Sequence, residues 1–157
     1  MPAFKWSDLV PEAFDPEYAL ASASVFRGEK IEAALVSFPA ATEAKYHAIS
    51  REQIHSILKG RARYRVGTEE KLVGAGEAVL VRASTRYSVQ ILEPLEVAVF
   101  RALAPAPAGT PDGATGPAFF RWGEMKSDFI TPKYSAAQGP TLTGERIEAA
   151  LFFFPAG

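Results

Sequence analysis

The feature that most constrains this chain is an internal copy. Shifted by 116 positions, the sequence aligns with itself without a gap, and 15 of 38 pairs are identical, where average residue usage gives roughly two or three by chance. Phe4, Trp6, Pro16, Tyr18 and Ala21 fall on Phe120, Trp122, Pro132, Tyr134 and Ala137. GEKIEAALVSFPA from Gly28 falls on GERIEAALFFFPA from Gly144. Segments this similar share an origin and are expected to share a conformation. The second copy stops at Gly157, where the first runs on into AATEAKYHAIS. One whole repeat and a fragment of another are therefore expected. The stretch between them, Leu103 to Ala118, is rich in Pro, Gly and Ala and reads as a semi-extended linker. The expected division is a domain over 1–103, a linker over 104–118 and a partial repeat over 119–157.

Within the first repeat the periodicity is that of strands. Ala62, Tyr64 and Val66 alternate with Arg61, Arg63 and Arg65, which predicts a strand with one wet face. Ile31–Phe38, Glu52–Leu58, Glu77–Val81, Tyr87–Leu92 and Leu95–Leu103 read as further strands, and Lys59-Gly60 and Val66-Gly67 as turns. Short strands at this spacing predict an all-β antiparallel sandwich or barrel. Helical periodicity is weak. At most a turn or a short helix is expected near Trp6–Val10, where Ser7 or Asp8 could cap it, with a counterpart near Trp122–Lys126.

Composition narrows the classes of function. The 157 residues carry a net charge of −1, so no global field favours nucleic acid or an anionic membrane. There is no cysteine, which excludes disulfides, thiol catalysis and zinc sites built on thiolates. No apolar run reaches membrane-spanning length, and MPAFKWSDLVPEAFDPE has no signal-like apolar core. The expectation is a cytoplasmic protein with no nucleic-acid or membrane partner.

Two spaced motifs carry a resemblance. YHAISREQIHSILKG places His47, Ile49, Gln53 and Gly60 where the first cupin motif has His, His, Glu or Gln, and Gly. GEAVLVRASTRY places Gly76, Arg82, Ser84 and Tyr87 where the second has Gly, Pro, Gly and His. The chain from Phe38 to Leu103 thus resembles the cupin superfamily, with a partial second repeat as in a truncated two-barrel cupin. The EQIH run at Glu52–His55 is similar to a subset that includes uronate-metabolism cupins. The resemblance implies an antiparallel double-stranded β-helix, the jelly-roll barrel, with the C-terminal copy adding strands. It also implies a metal site whose second and last histidines are replaced by Ile49 and Tyr87.

A metal in such a barrel takes three or four side chains, preferably with imidazole among them. The sequence has only two histidines, His47 and His55. Gln53 and His55 are two residues apart on a strand and so share a face, with Glu52 on the other. His47, Gln53 and His55 are the candidate ligands. The competing expectation is a hydrogen-bonded core histidine in a metal-free barrel. The cofactor expectation is accordingly none, or a weakly bound divalent metal. Lys45, Arg82, Arg86 and Tyr87 are candidates to hold a small anionic ligand such as a sugar acid, and Tyr87 is the candidate for acid/base work. Glu29, Glu32, Glu145 and Glu148 read as a duplicated strand edge rather than an acid/base pair. Phe152–Pro155 is too apolar to be left in water, so the partial repeat is expected to pack on its own barrel or a partner's, as in a homodimer.

Three functional expectations follow: a cupin with a degenerate site that binds a small ligand without strong catalysis, a metal-dependent enzyme acting on a sugar acid or small carbonyl compound, or a structural dimer with a filled barrel.

Overall fold

The computed structural model describes residues 5–13, 21–39, 42–48, 51–104, 117–129 and 138–151. Residues 105–116 of the expected linker, Ile49 and the Phe152–Pro155 run lie outside them. The described chain is all-β. The strands are β1 (Glu12–Ala13), β2 (Ser22–Arg27), β3 (Ile31–Phe38), β4 (Thr42–Ala48), β5 (Gln53–Lys59), β6 (Arg61–Val66), β7 (Glu69–Gly74), β8 (Glu77–Val81), β9 (Arg86–Ile91) and β10 (Leu95–Ala102). The second copy contributes β11 (Phe119–Arg121), β12 (Ser127–Phe129), β13 (Gln138–Thr143) and β14 (Glu148–Ala150). No described helix is long and apolar enough to cross a membrane.

Two antiparallel sheets face each other. One runs β1-β2-β3-β10-β5-β8-β11 and the other β4-β9-β6-β7. Between them lies an apolar core that includes Val36, Phe38, Ile57, Tyr64, Val79, Val81, Tyr87, Val89 and Val97. This is the jelly-roll barrel. β6 shows why the sequence folds so: Ala62, Tyr64 and Val66 are buried, while the three arginines between them face water. Those arginines meet neighbours along the wet face, Arg65 with Glu70, Arg63 with Gln90 and Arg61 with Glu93. At the β5–β6 turn Gly60 has φ +83°, and a Cβ there would sit 2.0 Å from the Pro94 carbonyl oxygen, so only glycine fits.

β8 is different, because all five of its residues are buried. Val79 and Val81 face the barrel core, and Ala78 and Leu80 belong to a second cluster outside it, with Ile54, Ala102, Trp122, Leu142 and Ile147. The second copy covers that outer face. β11 adds to the edge of β8, with Phe119 opposite Val79 and Arg121 opposite Glu77. β12, β13 and β14 form a small sheet of their own.

The sequence repeat is also a structural one. Trp6–Asp8 and Trp122–Glu124 are both single 3-10 turns. Glu12 pairs with Ala23, and Asp128 with Gly139. Arg27 pairs with Glu32, and Thr143 with Glu148. Each pair sits at the same offset, so the two copies share their register. The 3-10 turns are the turns expected there, but Lys5, with no side-chain capping bond, precedes the first one instead of Ser7 or Asp8.

Candidate functional site: a histidine closed inside the barrel

β5 alternates between two surroundings. Gln53, His55 and Ile57 point into the barrel, and Ile54 and Ser56 point toward the second copy. His55 is paired in register with Val79 on β8 and Val99 on β10, at the centre of the larger sheet. Its ring is gripped at both nitrogens. Nε2 lies 2.9 Å from Gln53 Oε1 and Nδ1 lies 3.1 Å from the Tyr64 hydroxyl. An amide oxygen can only accept, so Nε2 carries the proton and Nδ1 accepts from Tyr64. The neutral imidazole is thereby fully satisfied. Tyr64 and Tyr87 also present ring edges to it, each with centroids 5.7 Å away.

Electrostatics agrees with this tautomer. Burial pushes the His55 imidazolium down to about 3, and the positive charge of Arg101 acts in the same direction. Burial, with Tyr87 alongside, raises the Tyr64 phenol well above its ordinary range. Both groups stay uncharged at neutral pH. The cavity bounded by Phe38, His55, Tyr64, Tyr87, Val89, Val97 and Val99 offers about 10 Å³ to water centres, room for roughly one water.

Of the candidate ligands, Gln53 and His55 are thus brought together, bonded to each other. Backbone register places His47 opposite Tyr87 and Lys45 opposite Val89 on the facing sheet. Among the described residues no group of three or more His, Asp or Glu side chains comes together as a metal site. In the sequence Tyr64 reads only as a dry position in the alternation of Arg61–Val66. Its role as the partner of His55 comes from a pairing between nonadjacent strands, which sequence alternation does not show.

Arg82 lies in the loop after β8, and Arg86 and Tyr87 open β9. Arg82 donates to the Pro117 carbonyl at 3.0 Å, tying down the segment that leads into β11. Ser84 stands at the motif glycine and has φ +63°, so the backbone keeps a left-handed turn without the residue that suits it best. Arg86 opens β9, is exposed, and accepts from Gly67 N–H through its carbonyl. The β4–β5 connection reaches the same end of the barrel, because Ala48 pairs with Arg86 and Gln53 with Val81. It brings exposed Arg51, a basic residue the motif comparison passed over.

Glu52 points away from the barrel. It is 1% exposed, and its carboxylate accepts from three backbone N–H groups of the second copy: Glu145 at 3.0 Å, Arg146 at 2.7 Å and Ile147 at 3.1 Å. Gly144 begins this turn, and a Cβ there would lie 2.5 Å from the Glu52 carboxylate. Trp122 closes the other side by donating its indole N–H to Ser56 Oγ at 2.9 Å.

The barrel, its strand order and this motif-bearing end define a cupin fold. No protein-family model and no curated protein sequence matches the chain. Solved structures do match. An RmlC-like cupin from Shewanella frigidimarina aligns at TM-score 0.56 and 14% identity, over 65% of this chain and 88% of that one. KdgF from a Halomonas species aligns at 0.55 and 16%, over 62% and 91%. The cupin domain of Schizosaccharomyces pombe Cnp3 aligns at 0.54 and 15%, over 64% and 72%. At these identities the likeness is one of fold.

Proposed function

We propose that this chain is a cupin-fold binding protein that works without metal chemistry, and that its ligand is a small anion taken up at the end of the barrel that carries Arg51, Arg82 and Arg86, with Lys45 on the adjoining strand. The observation that carries this reading is the closure of His55. A divalent ion needs a free nitrogen lone pair, and the one on Nδ1 already accepts from Tyr64. Gln53 turns its oxygen to the same ring. Tyr87 is a buried phenol, and Ile49 has no donor atom. Among the described residues, this set of donors as arranged does not fit a resident metal. Guanidinium groups suit carboxylate or phosphate oxygens. Of the acidic residues at this end, Glu69 opens β7 and Glu52 is turned outward onto the second copy.

The test is calorimetric titration with a panel of small carboxylates, sugar acids included. Binding that is lost in Arg86→Ala and unaffected by a chelator supports the reading. Turnover of any of them that depends on added metal contradicts it. A second reading, a barrel with no small-molecule role, is favoured by the cavity of about 10 Å³, since ligand sites usually enclose about 300 Å³ or more. Absence of binding across the panel would select it.

A further inference from the structure

The two copies share a fold but sit differently: β2 and β3 of the first copy are strands of the larger sheet, whereas the second copy packs on that sheet's outer face. In the second copy, Trp122 is 8% exposed, and the turn Gly144–Ile147 wraps the Glu52 carboxylate. In the first copy the equivalent Trp6 is 37% exposed. The turn is nevertheless the same. Gly28 N–H donates to the Ile31 carbonyl at 2.9 Å, as Gly144 N–H does to the Ile147 carbonyl at 2.8 Å. The residues are the same too, GEKIEAA against GERIEAA, with glycine kept where a Cβ would strike the bound carboxylate. Among the described residues none accepts from the N–H groups of Glu29 or Lys30, the counterparts of Glu145 and Arg146. Successive backbone N–H groups in such a turn form a concave anion site.

We propose that the first copy is a docking surface for a second cupin barrel, with the Gly28–Ile31 turn clasping a glutamate that this barrel presents as Glu52 is presented here. The partner is specified by what the second copy already grips: a glutamate at the head of a strand, followed by an outward face like that of Ile54, Ser56, Ala78 and Leu80. Trp6 takes the place on that face that Trp122 takes on Ser56. The β-strand pairings within each copy already match, so docking requires no refolding of the first copy.

The experiment uses this chain's own groove as the probe. Gly144→Val, carried on an immobilised full-length chain, drives a side chain into Glu52 and releases the clasp, leaving a groove open to a docking segment supplied in trans. A soluble full-length chain is then passed over it. Capture is expected, with loss of about tenfold or more when the immobilised chain also carries Glu52→Gln, as for removal of hydrogen bonds to a charged group. A similar loss is expected when the soluble chain carries Glu29→Pro, which removes one N–H of the first-copy turn. Capture that survives Glu29→Pro but is lost in a soluble Trp122→Ala chain would mean that second copies are merely exchanged, and would overturn the proposal. So would no capture by a Gly144→Val chain that unfolds cooperatively. Should that variant not fold, immobilised Trp122→Ala replaces it, with the same two outcomes.

Discussion

The carboxylate of Glu52 and the backbone N–H of Ile147 lie 3.1 Å apart although 95 positions separate them in sequence. This contact joins the second copy to the barrel, and Glu52 immediately precedes Gln53, the residue that holds His55. One strand therefore anchors the second copy on its outer face and the closed histidine on its inner one.

Glu52→Gln should cost about 2 kcal/mol, the scale of hydrogen bonds to a charged group. Urea unfolding followed by tryptophan fluorescence would report it, because Trp122 sits in the same interface. An unchanged midpoint would mean that the clasp contributes nothing.

Gly144 and Gly28 offer an internal control. An added methyl at Gly144 meets the Glu52 carboxylate at 2.5 Å, whereas at Gly28 the nearest atom is the Ile31 carbonyl oxygen at 3.2 Å. Gly144→Ala should destabilise by about 1–3 kcal/mol, in the range of overpacked sites, and Gly28→Ala by less. Equal effects would argue against a tight fit around Glu52.

Trp122→Ala should cost about 3–5 kcal/mol, as for other buried large-to-small changes, and Trp6→Ala under about 1 kcal/mol. Denaturant unfolding of the two variants side by side tests whether equivalent residues have unequal surroundings.

His55 gives stability a pH dependence. In the folded chain burial holds it at about 3, and in the unfolded chain histidine titrates near 6.5. Between those values the unfolded state binds the additional proton, so stability rises with pH and is lost as pH falls. The native chain should be about 2 kcal/mol less stable at pH 5 than at pH 7 from this group alone. His55→Phe should flatten that difference. A pH dependence that persists undiminished in His55→Phe would place it elsewhere.

Much of this architecture is legible in residue patterns. The offset of 116 marks two segments that do share their turns and register, and the wet–dry alternation of β6 follows Arg61–Val66 residue by residue. The inward pairing of Gln53 with His55 follows from their spacing of two. Other elements give little signal. β4 is TEAKYHA and β7 is EEKLVG, both too polar to read as apolar strands. β13 carries Gly139 and Pro140, which weigh against a strand. Their pairing is decided by neighbouring strands. The destination of Glu52 was equally hidden. Strand alternation turns it outward, but only the docking of a distant turn makes that outward position a buried one.

Bonded to Gln53 and Tyr64, His55 should be closed to metal. Purified chain should be incubated with excess manganese, iron(II), nickel or zinc, freed of unbound ion and assayed for metal content. The expected result is far less than one equivalent, unchanged by His55→Ala. Near-stoichiometric metal that disappears in His55→Ala or His47→Ala would contradict it.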